Sequence, residues 1–103
     1  MNKSTKNGQD HLDVMRKISK NPNLSQRSLA KELGFSLGKL NYCLKELKLK
    51  GFIKISNFNK SKNKIKYIYV LTPGGISEKT KLTIRFMKRK MQEFDELKKE
   101  MDI

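Results

Sequence analysis

The sequence is poor in cysteine, in long apolar runs and in acidic residues, and the first two absences exclude whole classes of protein. The single cysteine, Cys43, cannot form an internal disulfide bond and fits a reducing compartment, which predicts a cytoplasmic protein. No run of about 18 apolar residues is present, so no membrane-spanning helix is expected. After Met1, residues 2–10 are polar throughout, so no signal peptide is expected.

The sequence also lacks the residue patterns of common catalytic and cofactor sites. Gly74 and Gly75 are not followed by the Lys-Ser/Thr pair of a phosphate-binding loop. The only histidine, His11, has no neighbours at metal-ligand spacing, and we predict that it lies on the surface. Cys43 has no histidine beside it, and we predict a small packed residue. We therefore expect no enzyme activity, no cofactor and no metal.

What the sequence does contain is a large excess of positive charge. Lys and Arg number 24 and Asp and Glu number 10, which gives a net charge of +14 over 103 residues. Residues 36–66 hold nine lysines and one acidic residue, Glu46, so the middle third carries more than half of the excess. This distribution favours a polyanionic partner, either nucleic acid or an anionic membrane surface.

Residues 36–50 have the pattern of an amphipathic helix with a basic exposed face. Leu40, Leu44 and Leu47 recur at spacings of four and three, which places them on one side of a helix. Ser36 is predicted to cap the N-terminus, and Gly51 to end the helix in the left-handed conformation.

A shorter helix is predicted just before it, capped by Ser25 and running to about Leu33. Gly34 then forms a tight corner between the two helices. Two helices in this order are typical of a helix-turn-helix, whose second helix enters the major groove of DNA. The alternative is a helix corner in an ordinary small bundle.

The remaining elements complete a small domain. An earlier helix is expected to start with Asp10 as its cap and to end at Asn21-Pro22, after a disordered N-terminal arm at 1–9. Residues 52–56 and 65–71 read as two strands. Between them, lysine occupies every second position from Lys60 to Lys66, which predicts a cationic hairpin, or wing, at 57–66. The alternative is an edge hairpin that lysine keeps soluble.

The last segment, 73–103, reads as a long helix. Thr72 and Pro73 are typical of a helix start, although Gly74 and Gly75 predict an irregular first turn. An apolar stripe follows, which we interpret as a dimer interface of Ile84, Met87, Met91, Phe94, Leu97 and Met101. Basic residues crowd the first half of the helix and acidic residues the second, so an antiparallel pair would be complementary. Alternatively, the stripe folds back on its own domain.

This order of elements resembles the winged-helix regulators of the MarR type, and most closely their short subgroup associated with exopolysaccharide gene clusters. The motifs that carry the resemblance are Asn-Pro-Asn-Leu-Ser-Gln-Arg-Ser-Leu-Ala-Lys-Glu-Leu-Gly at 21–34, the residues at 36–45, Lys-Gly-Phe-Ile-Lys at 50–54, the Leu-Thr-Pro-Gly-Gly end of 67–75, and 86–91. The resemblance implies a sequence-specific transcription regulator that binds DNA as a dimer. Larger members build a dimer domain from helices at both ends, often with an effector pocket. Here only one helix follows the wing, so we expect no small-molecule effector.

The predicted fold class is thus mainly α with a small β-hairpin: a winged helix-turn-helix at 10–72 and a C-terminal dimerisation helix at 73–103. The predicted DNA-binding residues are Ser25, Gln26, Arg27, Ser36, Leu37, Gly38, Lys39, Asn41, Tyr42, Lys45, Lys60, Lys62 and Lys64. Asn41 is assigned to adenine and Lys39 to guanine, and Leu37 to a thymine methyl. Alternative functions are a basic RNA- or ribosome-associated protein, and a module that docks on another protein through the long helix.

Overall fold

The computed structural model describes the backbone of residues 8–61 and 64–101, and the side chains of residues 8–56 and 68–101. The described elements, in chain order, are α1 (Gln9–Lys20), α2 (Gln26–Leu33), α3 (Leu37–Leu49), β1 (Ile53–Ser61), β2 (Lys64–Leu71) and α4 (Pro73–Met101). The predicted fold class, mainly helical with one β-hairpin, is confirmed. Of the arm predicted at 1–9, residues 1–7 lie outside the described residues, whereas Gly8 is the cap position of α1 and Gln9 its first residue.

Local capping chemistry sets the ends of α2 and α3. The Ser25 hydroxyl accepts a hydrogen bond from the Ser28 amide at 3.1 Å, and the Ser36 hydroxyl accepts one from the Lys39 amide at 3.0 Å. Gly34 (φ 73°) and Gly51 (φ 79°) adopt the left-handed conformation after the two helices. These predictions are confirmed. The predicted cap of α1 is wrong, because the cap position is Gly8 and Asp10 lies inside the first turn. There its carboxylate interacts favourably with the positive end of the helix dipole.

The three helices, the sheet and α4 share one core. Leu12, Met15 and Ile18 of α1 are buried, as are Leu40, Cys43, Leu44 and Leu47 of α3, together with Leu29, Ile53, Tyr69 and Leu82 from the other elements. Because the inner face of α3 is fixed in this core, its opposite face is left open to solvent.

The hairpin is antiparallel and longer than predicted. Ile53 pairs with Leu71 and Phe58 with Lys66, and the register is irregular between Phe58 and Ser61. Strand β1 extends beyond the predicted 52–56 because backbone pairing continues through polar residues that the sequence places in the connection.

Helix α4 starts regularly at Pro73, so the predicted irregular first turn is wrong. Thr72 organises this start: its hydroxyl donates to the Gly51 carbonyl at 2.5 Å and accepts from the Gly75 amide at 3.0 Å. Gly75 lies directly against the backbone of Phe52, where a Cβ atom would overlap the carbonyl oxygen. The two glycines therefore permit close helix–strand packing rather than disturb the helix.

Most of α4 extends away from the domain. It has 29 residues, which is about 43 Å at 1.5 Å per residue, and among them only Gly75 and Leu82 are buried. The longest dimension of the molecule is 66 Å, against 27 and 25 Å for the other two. Neither α4 nor any other described helix has the length and apolarity needed to cross a bilayer.

Candidate nucleic-acid interface

The solvent-facing side of α3 forms a surface that we call the groove face. Its members, all exposed, are Leu37, Gly38, Asn41, Tyr42, Lys45 and Lys48. Asn41 offers an amide that can donate and accept at one base edge, and the two lysines offer mobile positive charges. The groove face therefore brings together five of the residues predicted from the sequence.

Lys39, by contrast, is turned away from the groove face. Its ammonium lies 3.3 Å from the Asp10 carboxylate on α1 and 4.2 Å from the centre of the Phe35 ring. This arrangement joins α3 to the first turn of α1. The geometry thus gives no support to the guanine contact predicted for Lys39.

A second polar link joins the same two helices about two turns further along α3. Glu46 Oε1 lies 2.9 Å from His11 Nε2, and Glu46 Oε2 accepts a hydrogen bond from the Tyr42 hydroxyl at 2.8 Å. The hydrogen bond from Tyr42, together with that from His11, lowers the pKa of Glu46. The hydrogen bond between Tyr42 and Glu46 also raises the pKa of Tyr42. Neither His11 nor Glu46 was among the residues predicted to serve the site.

The prediction that His11 lies on the surface is wrong, since only 8% of the residue is exposed. It lines an open polar cleft of about 400 Å³ between α1, α3 and α4. The ionisable groups near the ring are Asp10 on its own helix, Glu46 and Lys50 on α3, and Glu78 and Arg85 on α4. Burial lowers the pKa of His11 below 6.5, despite the opposing effect of Glu46.

This burial predicts a loss of stability on mild acidification. Between the lowered folded pKa and pH 6.5, the unfolded chain binds a proton at His11 that the folded protein does not. The free energy of unfolding should therefore fall as the pH drops from 6.5 to the folded pKa, and level off below it. Urea unfolding at intervals between about pH 7 and pH 5 measures this slope. The window lies above the ordinary pKa values of Glu46 (4.5) and Asp13 (3.8), whose shifts have opposite signs. The slope should vanish in His11→Gln, and an equal slope in that variant would contradict the assignment.

The predicted DNA-binding residues at the start of α2 have different partners in the structure. Ser25 and Arg27 are exposed. Gln26 is exposed as well, but its side chain donates to the hydroxyl of buried Tyr69 at 2.6 Å, which links α2 to β2. Gln26 therefore has a structural partner, and no local sequence signal indicates this long-range bond.

The side chains of the predicted wing lysines all lie outside the described part of the structure. Lys62 lies outside the described residues, and the side chains of Lys60 and Lys64 lie outside the described side chains. The backbone of Lys60 belongs to β1 and that of Lys64 to β2, as expected of a hairpin.

The described residues hold no cluster of three or more His, Cys, Asp or Glu side chains that could bind a metal ion. Cys43 is fully buried, as predicted, and burial raises its pKa to about 11. A protonated thiol is a poor nucleophile and a poor ligand, so Cys43 serves the core.

The family model described as winged helix-turn-helix DNA-binding matches residues 11–54, which run from α1 to the start of β1. The fold is that of a winged helix-turn-helix. Helices α2 and α3 take the places of the helix-turn-helix, and β1 and β2 those of the wing. No curated protein is similar enough in sequence to match the chain.

Solved structures match the winged helix together with α4. MarR of Staphylococcus aureus, in complex with salicylate and kanamycin, has a TM-score of 0.66 and 16% identity over 84% of this chain and 57% of that one. The PcaV transcriptional regulator of Streptomyces coelicolor, in complex with its natural ligand, has a TM-score of 0.67 and 15% identity, over 92% of this chain and 74% of that one. FabT of Streptococcus pneumoniae, in complex with DNA, has a TM-score of 0.62 and 23% identity, over 85% of this chain and 59% of that one.

These matches confirm the resemblance to MarR-type winged helices at the level of the fold. The chain spans 57 to 74% of the three matched chains, so they contain structure that this chain does not match. The likeness to the subgroup associated with exopolysaccharide gene clusters remains a prediction.

Proposed function

We propose that this protein is a sequence-specific DNA-binding transcription regulator, in which α3 enters the major groove. The groove face of α3 is the observation that carries the proposal. It presents Asn41 and two lysines on a helix whose other side is fixed in the core. A rigid helix that exposes an amide and cations is suited to reading base edges while neighbouring charges contact phosphates.

The charge distribution and the matched structures support the same proposal. Residues 36–66 carry nine of the 24 basic residues and only one acidic residue. FabT, which has the same fold, was solved in complex with DNA. We assign Arg27, Lys45 and the wing lysines Lys60, Lys62 and Lys64 to phosphates or the minor groove. The proposal is of a binding protein rather than an enzyme, and we propose no small-molecule effector.

We also propose that the protein is a homodimer through α4. The apolar stripe of α4 is between 49 and 81% exposed at Ile84, Met87, Met91, Phe94, Leu97 and Met101. By contrast, Leu82 and Phe86, which lie beside the start of the stripe, pack on the domain. An exposed apolar stripe of this length on a small protein is expected to meet another chain.

Charge complementarity favours an antiparallel arrangement of the two α4 helices. An apolar groove of about 430 Å³ between α1 and α4 is lined by Leu12, Phe86 and Met91, with Arg16 and Lys90 beside them. The acidic second half of a partner's α4 matches this basic rim. The domain boundaries that follow are 10–72 for DNA binding and 73–103 for dimerisation.

Enrichment of random DNA duplexes on the purified protein tests the proposal. We expect a consensus with two half-sites whose centres lie about 10 base pairs apart, or a multiple of that. A structured RNA serves as competitor at about 0.15 M salt. An RNA-associated protein would bind the RNA as tightly as any duplex and return no consensus, which would overturn the regulator function.

The division of roles on the groove face predicts different effects for two neighbouring exposed residues. Asn41→Ala should relax the preference for one base pair by roughly 1–3 kcal/mol, because a side chain that reads a base edge is lost. Lys45→Ala should weaken binding to all sequences alike and reduce the slope of log affinity against log salt by about 1. Affinity titrations of the consensus duplex and its single-base variants at several salt concentrations distinguish them. The same uniform loss for both variants would contradict the division.

A further inference from the structure

Glu46 has an unusual position for a carboxylate. It is the only acidic residue between 36 and 66, and it lies on the helix proposed to enter DNA, where a free negative charge would repel phosphates. Both of its oxygens already have partners, however: Tyr42 donates to one and His11 approaches the other at 2.9 Å. The carboxylate is partly exposed, but these two contacts tie it to α1 and to its own helix rather than leaving it free to face a base.

This arrangement changes what Tyr42 can offer to DNA. Tyr42 and Glu46 are one helical turn apart, and the hydroxyl of Tyr42 is committed to the carboxylate at 2.8 Å. Yet 47% of the residue is exposed on the groove face. The part that remains free is the aromatic ring, whose apolar edge and face suit a thymine methyl group.

The arrangement also gives His11 a role at a distance. Its ring is buried beside Glu46, and it joins α1 to α3 across 35 residues of sequence. With a neutral ring, Nε2 is the donor that a carboxylate partner selects. The chain His11–Glu46–Tyr42 thus leaves the carboxylate, and with it the tyrosine ring, little freedom to change rotamer.

We propose that Tyr42 determines specificity by contacting a thymine methyl through its ring, and that His11 is a positioning residue that orients this ring through Glu46. The inference rests on the proposed DNA-binding function and assigns a base class and a mode of contact within it. A hydroxyl contact to a phosphate or a base is the competing interpretation.

The first experiment separates the ring from the hydroxyl on the consensus duplex obtained by enrichment. Each thymine is replaced in turn by deoxyuridine, which removes only the methyl group. At one thymine, this replacement should weaken binding by the wild type about tenfold. Binding by Tyr42→Phe should remain sensitive to the same replacement, whereas binding by Tyr42→Ala should not. If Tyr42→Phe lost as much affinity and sensitivity as Tyr42→Ala, the hydroxyl would be the contact and the proposal would be overturned.

The second experiment tests His11 by a double-mutant cycle. His11→Leu should weaken the consensus complex a few-fold in the wild type, but have no further effect in Tyr42→Phe, where the connection through the hydroxyl is already broken. His11→Gln retains a donor near the position of Nε2 and should restore most of the affinity. An equal loss from His11→Leu in both backgrounds would show a purely structural role and overturn the positioning claim.

Two measurements separate a loss of folding, a failure of the regulator function and a failure of the present inference. Thermal unfolding gives the midpoint of each variant, and binding is then measured well below the lowest midpoint, where every variant is folded. If enrichment returns no consensus, the regulator function itself fails. If a consensus is found and no thymine responds to Tyr42→Ala, only the present inference fails.

Discussion

Replacing Gly75 by alanine should destabilise the protein by about 3 kcal/mol, at the upper end of the usual range for forced overpacking. The added Cβ would overlap the carbonyl oxygen of Phe52 and approach its Cα at 3.2 Å. These are backbone atoms, so no side-chain rotation can relieve the overlap. The Phe52 carbonyl also accepts a hydrogen bond from the Thr72 amide at 3.0 Å. A shift of β1 or α4 to relieve the overlap would therefore weaken the start of α4.

The neighbouring glycine provides a matched control. An alanine Cβ at Gly74 would meet its nearest atoms, Thr72 Oγ1 and the Gly51 carbonyl oxygen, at 3.7 and 3.8 Å, which are ordinary contacts. Gly74→Ala should be neutral, or stabilise by up to about 1 kcal/mol through helix propensity. Urea unfolding followed by circular dichroism compares the two variants. Equal midpoints would show that the Gly75–Phe52 packing has no energetic role.

The contrast between these glycines illustrates what could be predicted from the sequence. Gly34, Gly51, Ser25 and Ser36 were predicted correctly because each acts within one turn of its own helix. The role of Gly75 depends on the Phe52 carbonyl, which reaches it only when β1 packs under α4. No local pattern distinguishes such a glycine from a helix breaker.

The same limit applies to the candidate site. The basic, amide-bearing face of α3 follows from helical periodicity, so the exposure of Asn41 and Lys45 could be predicted. Lys39 and Gln26 have equally suitable side chains, but the fold directs them to Asp10 and Tyr69. Residue type indicates what a side chain can bind, whereas its actual partner depends on which helices pack together.

Phe94→Glu should dissociate the proposed dimer and lower the affinity for a two-half-site duplex at least 100-fold, because linked half-site binding gains roughly 10²- to 10⁴-fold over a single module. Phe94 is 64% exposed in one chain, so a charge there is tolerated by the monomer fold. In an antiparallel pair, however, the new carboxylate would be buried in the apolar stripe.

The control for this variant is Gln92→Glu, which introduces the same charge at an exposed position on roughly the opposite side of α4. Sedimentation should show a dimer for the wild type and Gln92→Glu, and a 12.0 kDa monomer for Phe94→Glu. Affinity for a single half-site should be similar in all three, because α3 lies outside the stripe. This comparison separates the two parts of the proposal. A wild-type monomer would remove the dimer but leave DNA recognition by α3 intact, whereas a loss of half-site binding in Phe94→Glu would show that α4 also supports the winged helix itself.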